Sequence, residues 1–185
     1  MTSPPSVVVY YLDASALVKR YTTETGSGWT TALCQPASGT LIATARITKA
    51  EAAAAFASKL RQGGLSQAHY TQALQDLAHD FAHQYLMVEI DQTLVDLAVD
   101  LTQRQKLRGY DAVQLAAALT LHELLPQASF VPLMFVAADD DLLEAARGEG
   151  LATEGIIRAT YTTHLYTVID KPALRPVGRV PPRWG

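Results

Sequence analysis

Four acidic residues, Asp13, Glu51, Asp111 and Asp139, stand 38, 60 and 28 residues apart, each where a strand gives way to a helix or a helix begins. Carboxylates that meet at one point repel one another, and some must take up protons at neutral pH unless a positive partner is supplied. A hard divalent cation, Mg²⁺ or Mn²⁺, accepts oxygen ligands from several acids at once. Zinc would call for His or Cys, which these four stretches lack. His79 and His83 show an i, i+4 spacing, but no Glu follows His79, and the pair reads as a solvated helix face.

Each acid also has a plain structural use. Asp13, Asp111 and Asp139 suit helix N-caps, and Glu51 suits the return partner of Thr48 in the capping box Thr48-Lys49-Ala50-Glu51. Taken singly, these uses are the stronger reading. Glu51 and Asp111, however, open helices whose next turns, 52–56 and 112–118, are almost wholly apolar. Such helix starts point inward, and acids at inward positions need a partner. The chain offers no buried cluster of Lys or Arg at these points to neutralise them instead.

The elements that must position these acids follow from pattern. Residues 7–12 form an unbroken apolar, β-branched and aromatic run, the mark of a strand buried on both faces. It ends at Asp13, and apolar residues at Ala14, Leu17, Val18 and Tyr21 predict a helix over 14–21. An acid at the carboxyl end of a first parallel strand lies where open α/β sheets bind ligands. Further along, Ser27 suits the cap of a short helix over 29–33, residues 41–45 a second strand, and 48–61 an alanine-rich helix stopped by Gly63-Gly64. A helix from Ser66 carries Tyr70, Leu74, Leu77 and Phe81 on one face; residues 86–90 read as a strand, and Asp91 caps the next helix. A basic turn, Lys106-Leu107-Arg108-Gly109, leads to a central helix over 112–125. Residues 130–138 give another strand, irregular near Pro132, before a helix that Gly148 and Gly150 close, and residues 156–169 are strand-like. Strands alternating with helices predict an α/β fold, a three-layer α/β/α arrangement around a central parallel sheet.

Composition bounds the rest. With 185 residues, 49% hydrophobic and 18% charged, the chain is expected to form one globular domain with a full core. No apolar run has the length of a membrane span or a signal-peptide core, so a soluble cytoplasmic protein without membrane partners is expected. The single Cys34 excludes an internal disulfide and carries no nucleophile signature. Residues 1–169 hold 11 Lys/Arg against 17 Asp/Glu, whereas residues 170–185 hold Lys171, Arg175, Arg179 and Arg183 against Asp170 alone. A body of that charge is no broad nucleic-acid coat, and it would handle nucleic acid through local basic residues and metal ions.

The residues around the acids resemble PIN-domain ribonucleases of the VapC toxin type over 7–151. Four segments carry the likeness: Tyr11-Leu12-Asp13-Ala14-Ser15-Ala16-Leu17-Val18-Lys19, Thr48-Lys49-Ala50-Glu51, Tyr110-Asp111-Ala112-Val113-Gln114-Leu115-Ala116-Ala117-Ala118, and Val136-Ala137-Ala138-Asp139 followed by Leu142. Glu24 with Gly26-Ser27 also matches. The resemblance implies a PIN-like nuclease domain over 1–155 and a C-terminal extension over 156–185, Pro- and Arg-rich at its end. It implies a Mg²⁺- or Mn²⁺-dependent endoribonuclease with Asp13, Glu51, Asp111 and Asp139 as catalytic, metal-holding acids. Asp141 is a further ligand or a plain helix cap, and Ser15 supports Asp13 by hydrogen bonding. The expected reaction is in-line hydrolysis of an RNA phosphodiester that leaves a 5′-phosphate and a 3′-hydroxyl. The resemblance also implies a homodimer and a cognate antitoxin protein that covers the acidic cleft.

The sequence departs from the pattern at Ala137, where Thr or Ser is usual, in the Asp139-Asp140-Asp141 triplet, and in its longer tail. Lys19, Arg46, Lys49 and Arg108, beside the acids in sequence, are expected to hold RNA phosphates, while Arg20 reads as a helix-end pair. The tail arginines with Trp184 could track a strand by charge and stacking. Two other readings stay open at this point: a nuclease of the same fold serving RNA maturation or DNA processing, and a binding module that keeps the fold without turnover.

Overall fold

A computed structural model of the chain describes residues 8–125, 132–157 and 159. Five parallel strands form one sheet in the order β3-β2-β1-β4-β5, with β1 Val9–Leu12, β2 Leu41–Ala45, β3 Tyr85–Val88, β4 Leu133–Ala137 and β5 Ala152–Gly155. β1 pairs with β2 on one side (Tyr10 with Ile42) and with β4 on the other (Leu12 with Val136), both parallel. From β1 the connections run outward in opposite directions, so the carboxyl ends of β1 and β4 flank the topological switch point, where such sheets open a crevice.

Helices cover both faces, as the alternating pattern predicts. On one face α5 (Gln92–Arg104), α6 (Gly109–Leu124) and α7 (Asp140–Gly148) bury Leu94, Leu101, Leu115 and Leu142 against Val9, Tyr11 and Phe135. On the other, α1 (Ala14–Leu17), α3 (Thr48–Arg61) and α4 (Gln67–His83) bury Leu17, Phe56, Leu77 and Phe81 against Leu12, Ile42 and Val136. Tyr11 and Leu12 therefore face opposite layers, the period-two alternation of a central strand. Between α1 and β2 lies α2 (Ser27–Leu33).

Several local expectations are corrected. The helix predicted over 14–21 is α1 tightened into a 3₁₀ turn at Val18–Arg20. Ser27 does not cap α2. Gly26 does, at φ 96°, and Ser27 Oγ instead ties the preceding loop by donating to the Thr22 carbonyl and accepting from the Glu24 amide. A Cβ at Gly26 would overlap Ile156 Cγ2, so both the backbone angle and the packing call for glycine. β3 starts one residue earlier than predicted and stops at Val88. The fifth strand is Ala152–Gly155, and Ile156 and Ile157, expected to open a further strand-like stretch, are helical. Phe130, residues 160–169 and the basic tail with Trp184 lie outside the described residues. Among the described residues no helix is long and apolar enough to cross a membrane.

Candidate active site

Asp13 leaves β1 into α1 as the N-cap of that helix. Its Oδ1 accepts the Ala16 amide at 2.8 Å, and Ser15 Oγ lies 2.8 and 2.9 Å from the two carboxylate oxygens. The same Ser15 Oγ accepts the Ala138 amide at 2.8 Å, so one hydroxyl joins the carboxyl ends of β1 and β4. Only 5% of Asp13 is exposed. Burial pushes its carboxyl up to about 7; the Ala16 and Ser15 hydrogen bonds pull the other way, and the Glu51 charge raises it further.

The capping box expected at Thr48 does not form. Thr48 is the first residue of α3, with Ile47 at the cap. Its buried hydroxyl turns to Gln114 on α6, accepting from Nε2 at 2.9 Å. Glu51 likewise turns away from its own helix start and accepts a short hydrogen bond from the same amide nitrogen. The ordinary structural use of Glu51 is thereby removed. Burial raises its carboxyl above the usual range, Gln114 pulls it down, and the charge of Asp111 raises it again.

Asp111 is not an N-cap either. α6 begins at Gly109 with Arg108 at the cap, which puts Asp111 at the third helical position, bonded back to the Arg108 backbone. Burial raises its carboxyl, the Asp139 charge adds to that, and Arg108 opposes both. Asp139 does cap its helix: Oδ1 accepts the amides of Asp141 and Leu142 at 2.9 and 3.2 Å. Arg108, Lys106, Asp111, Asp139 and Asp141 share the wall of one cleft of about 500 Å³.

The acids thus form a graded series across the switch point. Asp13 is buried, Glu51 and Asp111 are half-buried, and Asp139 and Asp141 are exposed. The charge of Glu51 is felt at Asp13, that of Asp111 at Glu51, and that of Asp139 at Asp111. They are brought to one end of the sheet but not drawn into a closed cage. Among the described residues no three His, Cys, Asp or Glu side chains are gathered closely enough to hold a metal ion. Like charges repel, and each acid is tethered by a nearer donor: Ala16 and Ser15, Gln114, the Arg108 backbone, or the α7 amides.

The basic residues divide. Lys19 is buried and paired with Glu24 at 3.2 Å. Arg46 is exposed and paired with Glu89. Lys49 is exposed, with its amine 5.8 Å from the Phe81 ring centroid. Arg20 makes a stronger contact than a helix-end pair, reaching the buried Asp80 at 2.7 Å. His79 and His83 lie exposed on α4 with ring centroids 4.7 Å apart. Cys34 is buried, and burial pushes its thiol up to about 11, against the pull of Arg20, an inert setting. Reading by sequence assigned no role to Gln114, although a lone amide within the apolar run 112–118 was a signal that a buried polar contact had to exist.

No protein-family model matches the chain. Two curated relatives, Ribonuclease VapC45 of Mycobacterium tuberculosis (strain CDC 1551 / Oshkosh) and Ribonuclease VapC49 of Mycobacterium tuberculosis (strain ATCC 25618 / H37Rv), are each 38% identical to it over 111 residues, 60% of this chain and 75% of theirs. Among solved structures, PAE2754 from Pyrobaculum aerophilum superposes with a TM-score of 0.58 at 18% identity, covering 86% of this chain and 98% of that one. VapBC2 from Rickettsia felis, bound to a DNA fragment from their promoter, gives a TM-score of 0.52 at 13% identity, covering 80% of this chain and 98% of that one. The two structures speak for the fold; the identity and coverage of the curated pair go further, and by them this chain belongs to the VapC family of ribonucleases.

Proposed function

We propose that this VapC-family chain is the endoribonuclease toxin of a toxin–antitoxin pair, hydrolysing RNA phosphodiesters with Asp13, Glu51, Asp111 and Asp139 around a divalent cation. The observation that carries this reading is the buried Asp13 carboxyl at the end of β1, with Glu51 and Asp111 in the first turns of α3 and α6 and Asp139 capping α7 at the same end of the sheet. The latter three stand in line toward solvent, and among the described residues no Lys or Arg side chain is hydrogen-bonded to any of the four, although the Arg108 charge is felt at Asp111. An all-oxygen donor set with unbalanced negative charge suits Mg²⁺ or Mn²⁺. When bound, such a cation polarises the phosphodiester and supplies hydroxide near neutral pH.

The protein's own part is to hold and orient. Asp13 and Glu51 are held by Ser15 and Gln114, while Asp111 and Asp139 face the open cleft with Asp141 as an outer acid. Arg108 and Lys106 on the cleft rim, with the exposed Lys49, are the cations suited to RNA phosphates. No side chain is needed as nucleophile, and water attacks in line to leave a 5′-phosphate and a 3′-hydroxyl.

Two partners belong to the same reading. An antitoxin protein would supply the cleft with an arginine in place of the cation. A second copy would cover the apolar groove between α5 and α6, about 350 Å³ and lined by Val95, Ala98, Val99, Tyr110 and Val113. Sedimentation of Val99→Glu tests the dimer, with a shift to monomer expected. The central test is cleavage of structured and unstructured RNAs with and without Mg²⁺. Asp13→Asn and Asp111→Asn should abolish cleavage, and undiminished cleavage in EDTA would refute the reading.

A further inference from the structure

Gln114 is buried, 2% exposed, in a helix stretch otherwise made of Ala, Val and Leu. Such an amide must place all its polar atoms, and it does so across three elements. Oε1 accepts the Tyr11 hydroxyl of β1 at 2.9 Å and lies 3.3 Å from the Thr48 hydroxyl. Nε2 donates to Thr48 Oγ1 at 2.9 Å and to Glu51 Oε2 of α3. The orientation is forced, because the reverse would set the amide oxygen against the Glu51 carboxylate, two acceptors in contact. Tyr11 is held in turn: its ring is fully buried and stacked on Phe135, centroids 5.6 Å apart and planes 10° apart. Gln114 and Asp111 are three residues apart on α6 and share a face. Glu51, which alone could swing with a long side chain, is thereby tied to the helix that carries the next acid.

We propose that Gln114 is the positioning residue of the acidic series: relayed from Tyr11 and Thr48, its amide fixes Glu51 by Oε2 and so orients a carboxylate that would help hold the cation. The inference rests on the site proposed above, so its test must separate its own failure from that of the site. Mn²⁺ alone is the probe, titrated calorimetrically into the full-length protein, together with RNA cleavage kinetics and thermal unfolding.

Gln114→Met, which keeps the length and removes the amide, should weaken Mn²⁺ binding by about tenfold, the usual scale for a group that orients a ligand. kcat should fall in parallel while KM for RNA stays within about twofold, a split that loss of packing alone would not produce. Tyr11→Phe keeps the stacked ring and removes only the hydroxyl, and should weaken Mn²⁺ binding in the same direction by less. A folded Gln114→Met with Mn²⁺ affinity and kcat within about twofold of the unaltered protein overturns the inference while leaving the site intact. Should Gln114→Met not fold, Tyr11→Phe decides alone, and unchanged Mn²⁺ affinity overturns it. If Asp111→Asn binds Mn²⁺ as well as the unaltered protein, the site itself is wrong and the inference falls with it.

Discussion

Ser15 Oγ accepts the Ala138 amide at 2.8 Å across the switch point while sharing its one proton between the two oxygens of Asp13, at 2.8 and 2.9 Å. The first acid is thus held by the strand that delivers the last, and Ala137, where a hydroxyl residue is usual, is fully buried beside this junction. Ser15→Ala removes a donor from a buried carboxylate and an acceptor from a backbone amide. The expected loss is about 1–3 kcal/mol of stability by urea unfolding. Cleavage should fall about tenfold or more as the carboxylate loses its orientation. A variant with full activity would show that the Ala16 amide and helix cap suffice.

Asp13, with Glu51 and Asp111 raised in the same direction, makes the cation-free protein less stable as pH rises. The folded Asp13 carboxyl titrates at about 7, raised by burial, against about 4 in an unfolded chain. Below both values the group is neutral in either state and its burial is harmless. As pH rises from about 4 the unfolded chain ionises first, so stability declines up to the folded pKa and then levels off. Asp13→Asn should flatten that decline and leave the cation-free protein roughly 2–4 kcal/mol more stable at pH 8, though without activity. Mn²⁺ at pH 8 should raise the melting temperature of the unaltered protein and not of the variant. Mn²⁺ affinity should weaken as pH drops below 7, because the proton and the cation compete for one carboxylate.

The sheet, both helix layers and the place of each acid at a strand end or helix start were legible because they depend on periodicity and on short local patterns. What the chain concealed were choices among local partners. Thr48-Lys49-Ala50-Glu51 has every residue of a capping box, yet the Thr48 and Glu51 side chains both turn to Gln114, 63 residues or more away. Asp111 reads as a cap only if α6 starts at Ala112, and the helix takes up Gly109 and Tyr110 first. Ile156 and Ile157 have strand propensity, but β4 is already paired by Ala152–Gly155 when the chain reaches them. Each of these outcomes was decided by tertiary contact, which propensity does not encode.

The basic residues that neighbour the acids in sequence differ in burial, and that difference is measurable. Lys19 is buried against Glu24, which is also 3.3 Å from Lys59. Lys19→Met should therefore cost stability and leave KM for RNA unchanged. Arg108 is exposed on the cleft wall with Asp111 and Asp139. Arg108→Ala should raise KM several-fold, leave kcat nearly as it was, and reduce the dependence of RNA affinity on salt by about one counterion. Equal effects of the two substitutions on KM would return Lys19 to the RNA-binding surface.

Arg20, on the 3₁₀ turn behind Asp13, and Asp80, on α4 in the same helix layer, form a largely buried pair. Arg20 Nε lies 2.7 Å from Asp80 Oδ2, with the two side chains 16% and 5% exposed. The same Oδ2 accepts the Tyr21 hydroxyl at 2.8 Å and lies 3.3 Å from that of Tyr85, while Arg20 Nη1 donates to the Cys34 carbonyl at 3.0 Å. A pair so buried adds little net stability over an apolar pair of the same shape, but breaking it leaves an uncompensated charge inside. Asp80→Ala is accordingly expected to lose about 3–5 kcal/mol by urea unfolding. Arg20→Met/Asp80→Leu should lose clearly less than the sum of its single substitutions, because neither charge is stranded. Mn²⁺ affinity of whatever fraction stays folded should change little, since the network touches none of the four acids. A loss of Mn²⁺ affinity in step with the loss of stability would mean instead that the 3₁₀ turn at Val18–Arg20 transmits its position to Asp13.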